Sequence, residues 1–209
     1  MKSTCAFIFL AACAASPSSD SSPGFASVRA RLEAEPTQLF VATAIDAGTL
    51  GAEHYTSAGW QSGSATLSIQ SGAVVASLDA SGRLAVSTFD VAFDPIDVPE
   101  SVFGSPAQLT NVELRLPAPA TAAATWSDAN DAAATVPLQL SLAWSLTVNG
   151  GSVPLGAQLL PAIPLDVALS GDGATVAASL VMQASGELWQ WADLLKLTEL
   201  DLEASAATE

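Results

Sequence analysis

Hydrophobic and polar residues alternate with a period of two over much of this chain, and this pattern constrains the fold most strongly. In residues 138–148 every second residue is apolar, and the apolar set is Leu138, Leu140, Leu142, Trp144, Leu146 and Val148. Successive side chains of a β-strand point to opposite faces. The segment therefore predicts one long strand with a single buried face, and it places Trp144 in the core.

Shorter segments show the same alternation and predict further strands. Their expected inward-facing residues are Val28, Ala30 and Leu32; Leu39, Val41 and Ile45; Leu67 and Ile69; Val74, Ala76 and Leu78; Val112, Leu114 and Leu116; and Leu200, Leu202 and Ala204. A change of parity between Val86 and Phe89 predicts a β-bulge near Ser87 and Thr88, with Asp90 turned to solvent.

Turn-forming residues separate several of these segments. Residues 79–82, 149–151 and 171–173 are rich in Gly, Asp and Asn and predict hairpin turns. Residues 188–195 instead place apolar side chains at helical spacing, which predicts one short helix. The predicted fold is all-β: an antiparallel β-sandwich or a partly closed barrel with one short C-terminal helix.

Composition supports a folded core and excludes two classes of partner. Half of the 209 residues are hydrophobic, and the mean hydropathy is +0.40 although the net charge is −15. That apolar content is too high for a disordered acidic chain. Six basic residues against 21 acidic ones exclude a nucleic-acid phosphate site and a basic patch for anionic lipid.

The N-terminus has the layout of a secretory leader. A short basic start is followed by an apolar run through Leu10, and the run ends in Leu10-Ala11-Ala12-Cys13. This tetrapeptide resembles the lipobox of bacterial lipoprotein precursors. The resemblance implies a lipid on Cys13 and removal of residues 1–12 as a signal peptide; an ordinary cleaved signal peptide is the alternative.

The same resemblance sets expectations for organisation and location. Residues 13–25 are rich in Ser and Pro and form a predicted flexible tether, and residues 26–209 form a single predicted β-domain. Lipid-anchored proteins of this family lie in the bacterial cell envelope. Ala14 is not the Asp that retains many of them in the inner membrane, so the outer membrane is implied if the host is Gram-negative.

Residues for catalysis are scarce. Both cysteines lie within the first 13 residues, and Lys196 is the one lysine after the leader. His54 is the single histidine, in a segment expected to be a loop, and no serine has the Gly-x-Ser-x-Gly spacing of a nucleophile elbow. The sequence therefore predicts a protein that is not an enzyme and that has no cofactor, with calcium as the one open possibility.

Two groups of residues are candidates for binding. Asp128, Asn130 and Asp131 offer the hard oxygen ligands that calcium prefers, but they are also common turn formers, and the turn is the favoured interpretation. Trp189 and Trp191 are candidates to bind a ligand through an exposed indole face, although core packing is favoured for them too.

These observations favour a membrane-anchored envelope lipoprotein with a non-catalytic binding or structural domain. The membrane partner is reached through the lipid, and the other partner is an unidentified protein, glycan or apolar ligand. One alternative is a carrier of lipid or another apolar ligand, which requires an internal cavity. The second is a polysaccharide hydrolase, which requires two facing carboxylates.

Overall fold

The computed structural model describes residues 26–35, 37–98, 100, 104–172, 175–191 and 195–207. The predicted leader, the lipobox-like tetrapeptide with Cys13 and the predicted Ser/Pro tether lie outside these residues. No helix of the described part is long and apolar enough to cross a membrane.

Antiparallel strands make up most of the described chain. In order, the elements are α1 (Val28–Ala34), β1 (Thr37–Ala42), β2 (Ala44–Thr56), β3 (Gly59–Thr66), β4 (Ile69–Asp79), β5 (Arg83–Phe93), β6 (Ile96–Val98), β7 (Ala107–Arg115), β8 (Ala120–Ala123), β9 (Thr125–Trp126), β10 (Ala132–Leu138), β11 (Ser141–Val148), β12 (Gly151–Leu159), β13 (Ile163–Gly171), β14 (Val176–Trp191) and β15 (Leu195–Ala207).

These strands form two sheets, which confirms the predicted all-β sandwich. Sheet A has eight strands in the order β1-β4-β5-β7-β11-β12, with β6 paired to β7 and β8 paired to β5. Sheet B has seven strands in the order β3-β2-β15-β14-β13-β10-β9. The inner faces of the two sheets share one cluster of buried apolar side chains.

The most regular alternating segment is divided between the two sheets. Leu138 closes β10 and lies opposite Ile163 in sheet B, whereas Leu142 lies in β11 opposite Leu114 in sheet A. The chain crosses between the sheets at Gln139 and Leu140. Leu140 is fully buried at this crossing, so the predicted single long strand is wrong although its buried face is correct.

Two of the predicted turns and the predicted bulge are confirmed. Asn149 and Gly150 have φ angles of +50° and +79°, which fit the tight hairpin turn between β11 and β12. Ser87 is the unpaired residue of a bulge, since Val75 lies opposite Thr88 and Ala76 opposite Val86. The turn at residues 79–82 also connects two paired strands. Strands β13 and β14 pair as well, but residue 173 of the third predicted turn lies outside the described part.

Helix α1 lies near the start of the described chain, far from the predicted C-terminal helix. Residues 28–34, expected as a strand, form α1, because Val28 and Leu32 also lie one helical turn apart. The Oγ atom of Ser27 accepts a hydrogen bond from the Ala30 N–H at 3.1 Å and caps the helix. An ion pair of 3.1 Å between Arg31 and Glu35 adds an i,i+4 contact.

The predicted C-terminal helix is wrong over its described part. Residues 188–191 continue β14, with Trp189 opposite Leu197 and Trp191 opposite Leu195; residues 192–194 lie outside the described part. A short apolar run is compatible with either structure. Pairing of residues 189–191 with β15 gives them backbone partners along one edge, and this long-range pairing favours the strand.

The inward face of β1 also differs from the prediction. Leu39 and Val41 are exposed, whereas Phe40 and Ala42 are buried. Four of the residues from Gln38 to Ala42 are apolar, so their order alone does not define a face. Gln38 tolerates burial because its Nε2 atom donates hydrogen bonds to Glu35, to Oε2 at 3.0 Å and to the backbone oxygen at 3.4 Å.

Candidate binding face of sheet B

The outer face of sheet B carries an exposed aromatic pair at one end. β2 and β3 form a hairpin in which Tyr55 lies directly opposite Trp60. The two rings meet edge to face, with centroids 5.4 Å apart and planes inclined by 65°. Tyr55 is 50% exposed and Trp60 is 39% exposed. Both rings therefore present apolar surface to solvent.

A cation from β15 lies against this pair. The Nζ atom of Lys196 is 4.3 Å from the centroid of the Trp60 ring, within cation–π distance. In the sheet register, Lys196 lies opposite Glu53, and Glu53 lies opposite Ser62. Tyr55 and Lys196 together restrain the orientation of the Trp60 ring. We call Tyr55, Trp60 and Lys196 the aromatic corner.

Carboxylates follow the aromatic corner along the same face. Buried apolar residues alternate along β15, so the side chains of Glu199, Asp201 and Glu203 point outward. Glu203 lies directly opposite Asp46 of β2. We call Asp46, Glu199, Asp201 and Glu203 the acidic band. Like charges that face each other across two strands repel, so the band carries an electrostatic cost in the isolated protein.

The outer face of sheet A has a different charge arrangement. Arg115 on β7 lies 3.4 Å from a carboxylate oxygen of Asp90 and 3.1 Å from one of Glu113. These acids are partly neutralised within the molecule, whereas Lys196 is the one Lys or Arg among the described residues of the sheet B strands. The two outer faces therefore present different charge to a partner.

Two of the three calcium candidates, in the loop between β9 and β10, accept hydrogen bonds from backbone N–H groups. Oδ1 of Asp128 accepts hydrogen bonds from the N–H groups of Asn130 and Asp131, at 2.7 and 2.9 Å. Oδ1 of Asn130 accepts from the N–H of Val28 at 3.2 Å, at the start of α1. Where the structure describes the chain, no three His, Cys, Asp or Glu side chains are arranged to hold a metal. The hydrogen bonds of Asp128 and Asn130 give the loop a structural role in capping α1.

The Asp128→Ala substitution should lower the melting temperature at neutral pH, and the loss should shrink as the pH falls. The N–H of Asn130, then that of Asp131, lowers the pKa of the Asp128 carboxyl. A lowered pKa stabilises the fold above the unfolded-state value of about 3.9, and this contribution is lost as the pH falls through the folded-state value. The difference in melting temperature between wild type and variant, followed by thermal unfolding from about pH 7 to pH 2.5, measures this contribution.

Two results would contradict this structural assignment of the loop. One is a difference in melting temperature between wild type and Asp128→Ala that stays constant across the acid range. The other is a rise in melting temperature with calcium in the wild type that the variant lacks, because that rise requires the Asp128 carboxylate to bind the ion.

Apolar gaps between the two sheets are small. One, of about 20 Å³, is lined mainly by Leu50, Phe93, Leu142 and Trp144. Another, of about 10 Å³, lies beside Phe89 and Met182. Pockets for small-molecule ligands enclose roughly 300–1,000 Å³. These two gaps are too small to hold a lipid or another apolar ligand.

Several carboxyl groups have pKa shifts opposite to those of a glycosidase acid. A hydrogen bond from Gln38, followed by one from Arg31, lowers the pKa of Glu35. The Ser81 hydroxyl, followed by the Arg83 N–H, lowers the pKa of Asp79. Glycoside hydrolysis requires a general acid with a raised pKa. Glu35, Asp79 and Asp128 therefore do not fit that role.

The other predicted site residues are only partly described. Trp189 and Trp191 have described backbone positions in β14, but their side chains lie outside the described part, as does Cys13. His54 is half-buried in β2, opposite Leu195 and Gln61, so its predicted loop is wrong. Trp144 is buried in the core, as predicted.

Sequence reasoning missed the aromatic corner, although a signal was present. Residues 57–59 read Ser-Ala-Gly, a turn composition, with Tyr55 and Trp60 just outside it. Polar Ser62, Ser64 and Thr66 then follow Trp60 at alternate positions. Interpreting this stretch as a hairpin would have placed Trp60 on the solvent-exposed face, opposite Tyr55.

Comparisons with known proteins give no family for this chain. It matches no protein-family model, and a search of characterised proteins finds no significant similarity. The geometry of the described residues therefore carries the functional argument.

Proposed function

We propose that this chain is a membrane-anchored envelope lipoprotein whose β-sandwich is a non-catalytic binding module. The lipid is carried on Cys13, and residues 13–25 tether the sandwich to the membrane, which is the outer membrane if the host is Gram-negative. The sandwich contacts its partner through the outer face of sheet B.

One observation carries the binding part of this proposal: the aromatic corner stands exposed on the same sheet face as the acidic band. Tyr and Trp are enriched among the residues that dominate interface energies, and a strand scaffold holds them in place at low entropic cost. A carrier would require an apolar cavity, and the gaps described above are an order of magnitude too small.

The lipobox Leu10-Ala11-Ala12-Cys13 carries the anchoring part. Buried acyl chains contribute about 0.8 kcal/mol per CH₂ group, and two chains already give stable anchoring. A lipid on Cys13 would therefore hold the acidic sandwich at a membrane surface without any basic patch.

The Cys13→Ser substitution should abolish incorporation of a palmitate analogue and move the protein out of the membrane fraction. Serine cannot form the thioether through which the lipid is attached. Metabolic labelling in a bacterial host, followed by membrane fractionation, measures both effects.

Cys5→Ser is the matched control, because Cys5 lies in the leader upstream of the lipobox. This variant should keep wild-type labelling and membrane retention. Equal labelling of wild type and Cys13→Ser would contradict the anchor. Equal loss in both variants would instead indicate a general defect of export.

A further inference from the structure

The aromatic corner has the features of an anchoring point for a protein partner. Trp60 is held by an edge-to-face contact with Tyr55 and by Lys196 at 4.3 Å. A ring that is already oriented loses little conformational entropy on binding. Its exposed surface lies beside that of Tyr55, so the two rings together offer apolar surface to a partner side chain.

The acidic band defines the charge of the segment that would follow this anchor. Asp46 and Glu203 face each other, and Glu199 and Asp201 lie on the same outer face of β15. A positively charged partner would relieve their mutual repulsion as well as gain new ion pairs. The band therefore favours Lys or Arg side chains over a neutral or acidic ligand.

The distance between the two features suits an extended peptide. Lys196 and Glu203 are seven positions apart along β15, and at about 3.3 Å per position they are roughly 23 Å apart. An extended segment of about seven residues covers the same length. One short segment could therefore contact the aromatic corner and the acidic band together.

We propose that the outer face of sheet B binds an extended, Lys/Arg-rich segment of a partner protein, with one apolar side chain of that segment seated against Tyr55 and Trp60. This inference rests on the proposed function and names the chemistry of its partner. Its two parts, the apolar anchor and the charge contacts, are tested separately below.

The test uses the full chain in detergent and three synthetic peptides. The first has one leucine followed by six lysines, the second has lysines only, and the third has one leucine followed by six glutamates. Titration calorimetry at about 20 mM and 150 mM salt should detect binding of the first peptide, weakened at the higher salt because the Debye length shortens. The glutamate peptide should not bind.

Two triple variants with the same charge change separate this face from the overall net charge. Asp46→Asn, Asp201→Asn and Glu203→Gln remove three charges from the acidic band. Asp94→Asn, Asp97→Asn and Glu113→Gln remove three from sheet A and its adjoining loop. We expect about tenfold weaker binding for the first variant, because it loses three exposed ion pairs with the peptide, and less than about threefold weaker binding for the second.

A Trp60→Ala variant tests the apolar anchor. This variant should lower the affinity for the peptide of one leucine and six lysines several-fold more than the affinity for the lysine-only peptide. The reason is that a coupling between Trp60 and the leucine appears only when both groups are present. Far-ultraviolet circular dichroism of the variant checks that the sandwich is still folded. An equal effect on both peptides would overturn the anchoring role of the aromatic corner.

Three other results would overturn the proposal as a whole. The first is that the lysine peptides do not bind. The second is that the two triple variants weaken binding equally, which would indicate attraction by net charge only. The third is that a neutral oligosaccharide binds in a salt-independent, Trp60-dependent manner, which would indicate a glycan site. Each of these results is distinguishable from failure of the proposed membrane anchor, because lipid labelling of Cys13 is measured independently of peptide binding.

Discussion

Replacing Phe40 with alanine should lower the free energy of unfolding by about 3–5 kcal/mol, whereas Leu39→Ala should cost less than about 1 kcal/mol. Phe40 is 1% exposed and Leu39 is 56% exposed, although they are neighbours on β1. Truncation of Phe40 removes buried ring surface and leaves a cavity between the sheets. Truncation of Leu39 removes surface that is already mostly in water.

Urea unfolding followed by tryptophan fluorescence measures both variants. Leu39→Ala is a stringent control, because it changes the adjacent residue of the same strand. The reverse order of effects would show that β1 presents its other face to the core, as the sequence pattern alone predicts.

Leu140→Ala should destabilise the protein by about 2–5 kcal/mol, even though Leu140 belongs to neither β10 nor β11. Its side chain is fully buried where the chain crosses from sheet B to sheet A. Its backbone oxygen also accepts a hydrogen bond from the N–H of Leu160 at 2.8 Å. A cavity at this crossing would remove contacts with both sheets.

Leu159→Ala is the matched control for this second prediction. Leu159 is 58% exposed on β12, next to the residue that bonds to Leu140. Its truncation should change the free energy of unfolding by no more than about 0.5 kcal/mol. Similar losses in the two variants, again measured by urea unfolding, would contradict the packing described at the crossing.

Turns and bulges were predictable from sequence because they depend on local backbone chemistry. Asn149 and Gly150 adopt positive φ angles that few other residues tolerate. The bulge at Ser87 follows from a parity change that keeps Val86 and Phe89 on the same buried side. The identities of a few neighbouring residues are therefore enough to predict such a turn or bulge.

The candidate site was less predictable because its parts are distant in sequence. Lys196 reaches Trp60 only because β15 pairs with β2 and β2 pairs with β3. The pairing of Glu203 with Asp46 likewise depends on strand order and register. Alternation predicts which side chains share a face within one strand, but it does not identify the strand that lies beside it.

The sequence by itself determined the all-β class, the turns at residues 79–82 and 149–151, the acidity and which residues of the longest alternating segment are buried. Only the tertiary structure decided that this segment divides between two sheets at Leu140, that residues 28–34 are helical, and that residues 188–191 are not. The physical reason is that period-two burial is satisfied equally by either sheet. The partner of each strand is selected by long-range packing and backbone pairing, which also bring the aromatic corner and the acidic band onto one face.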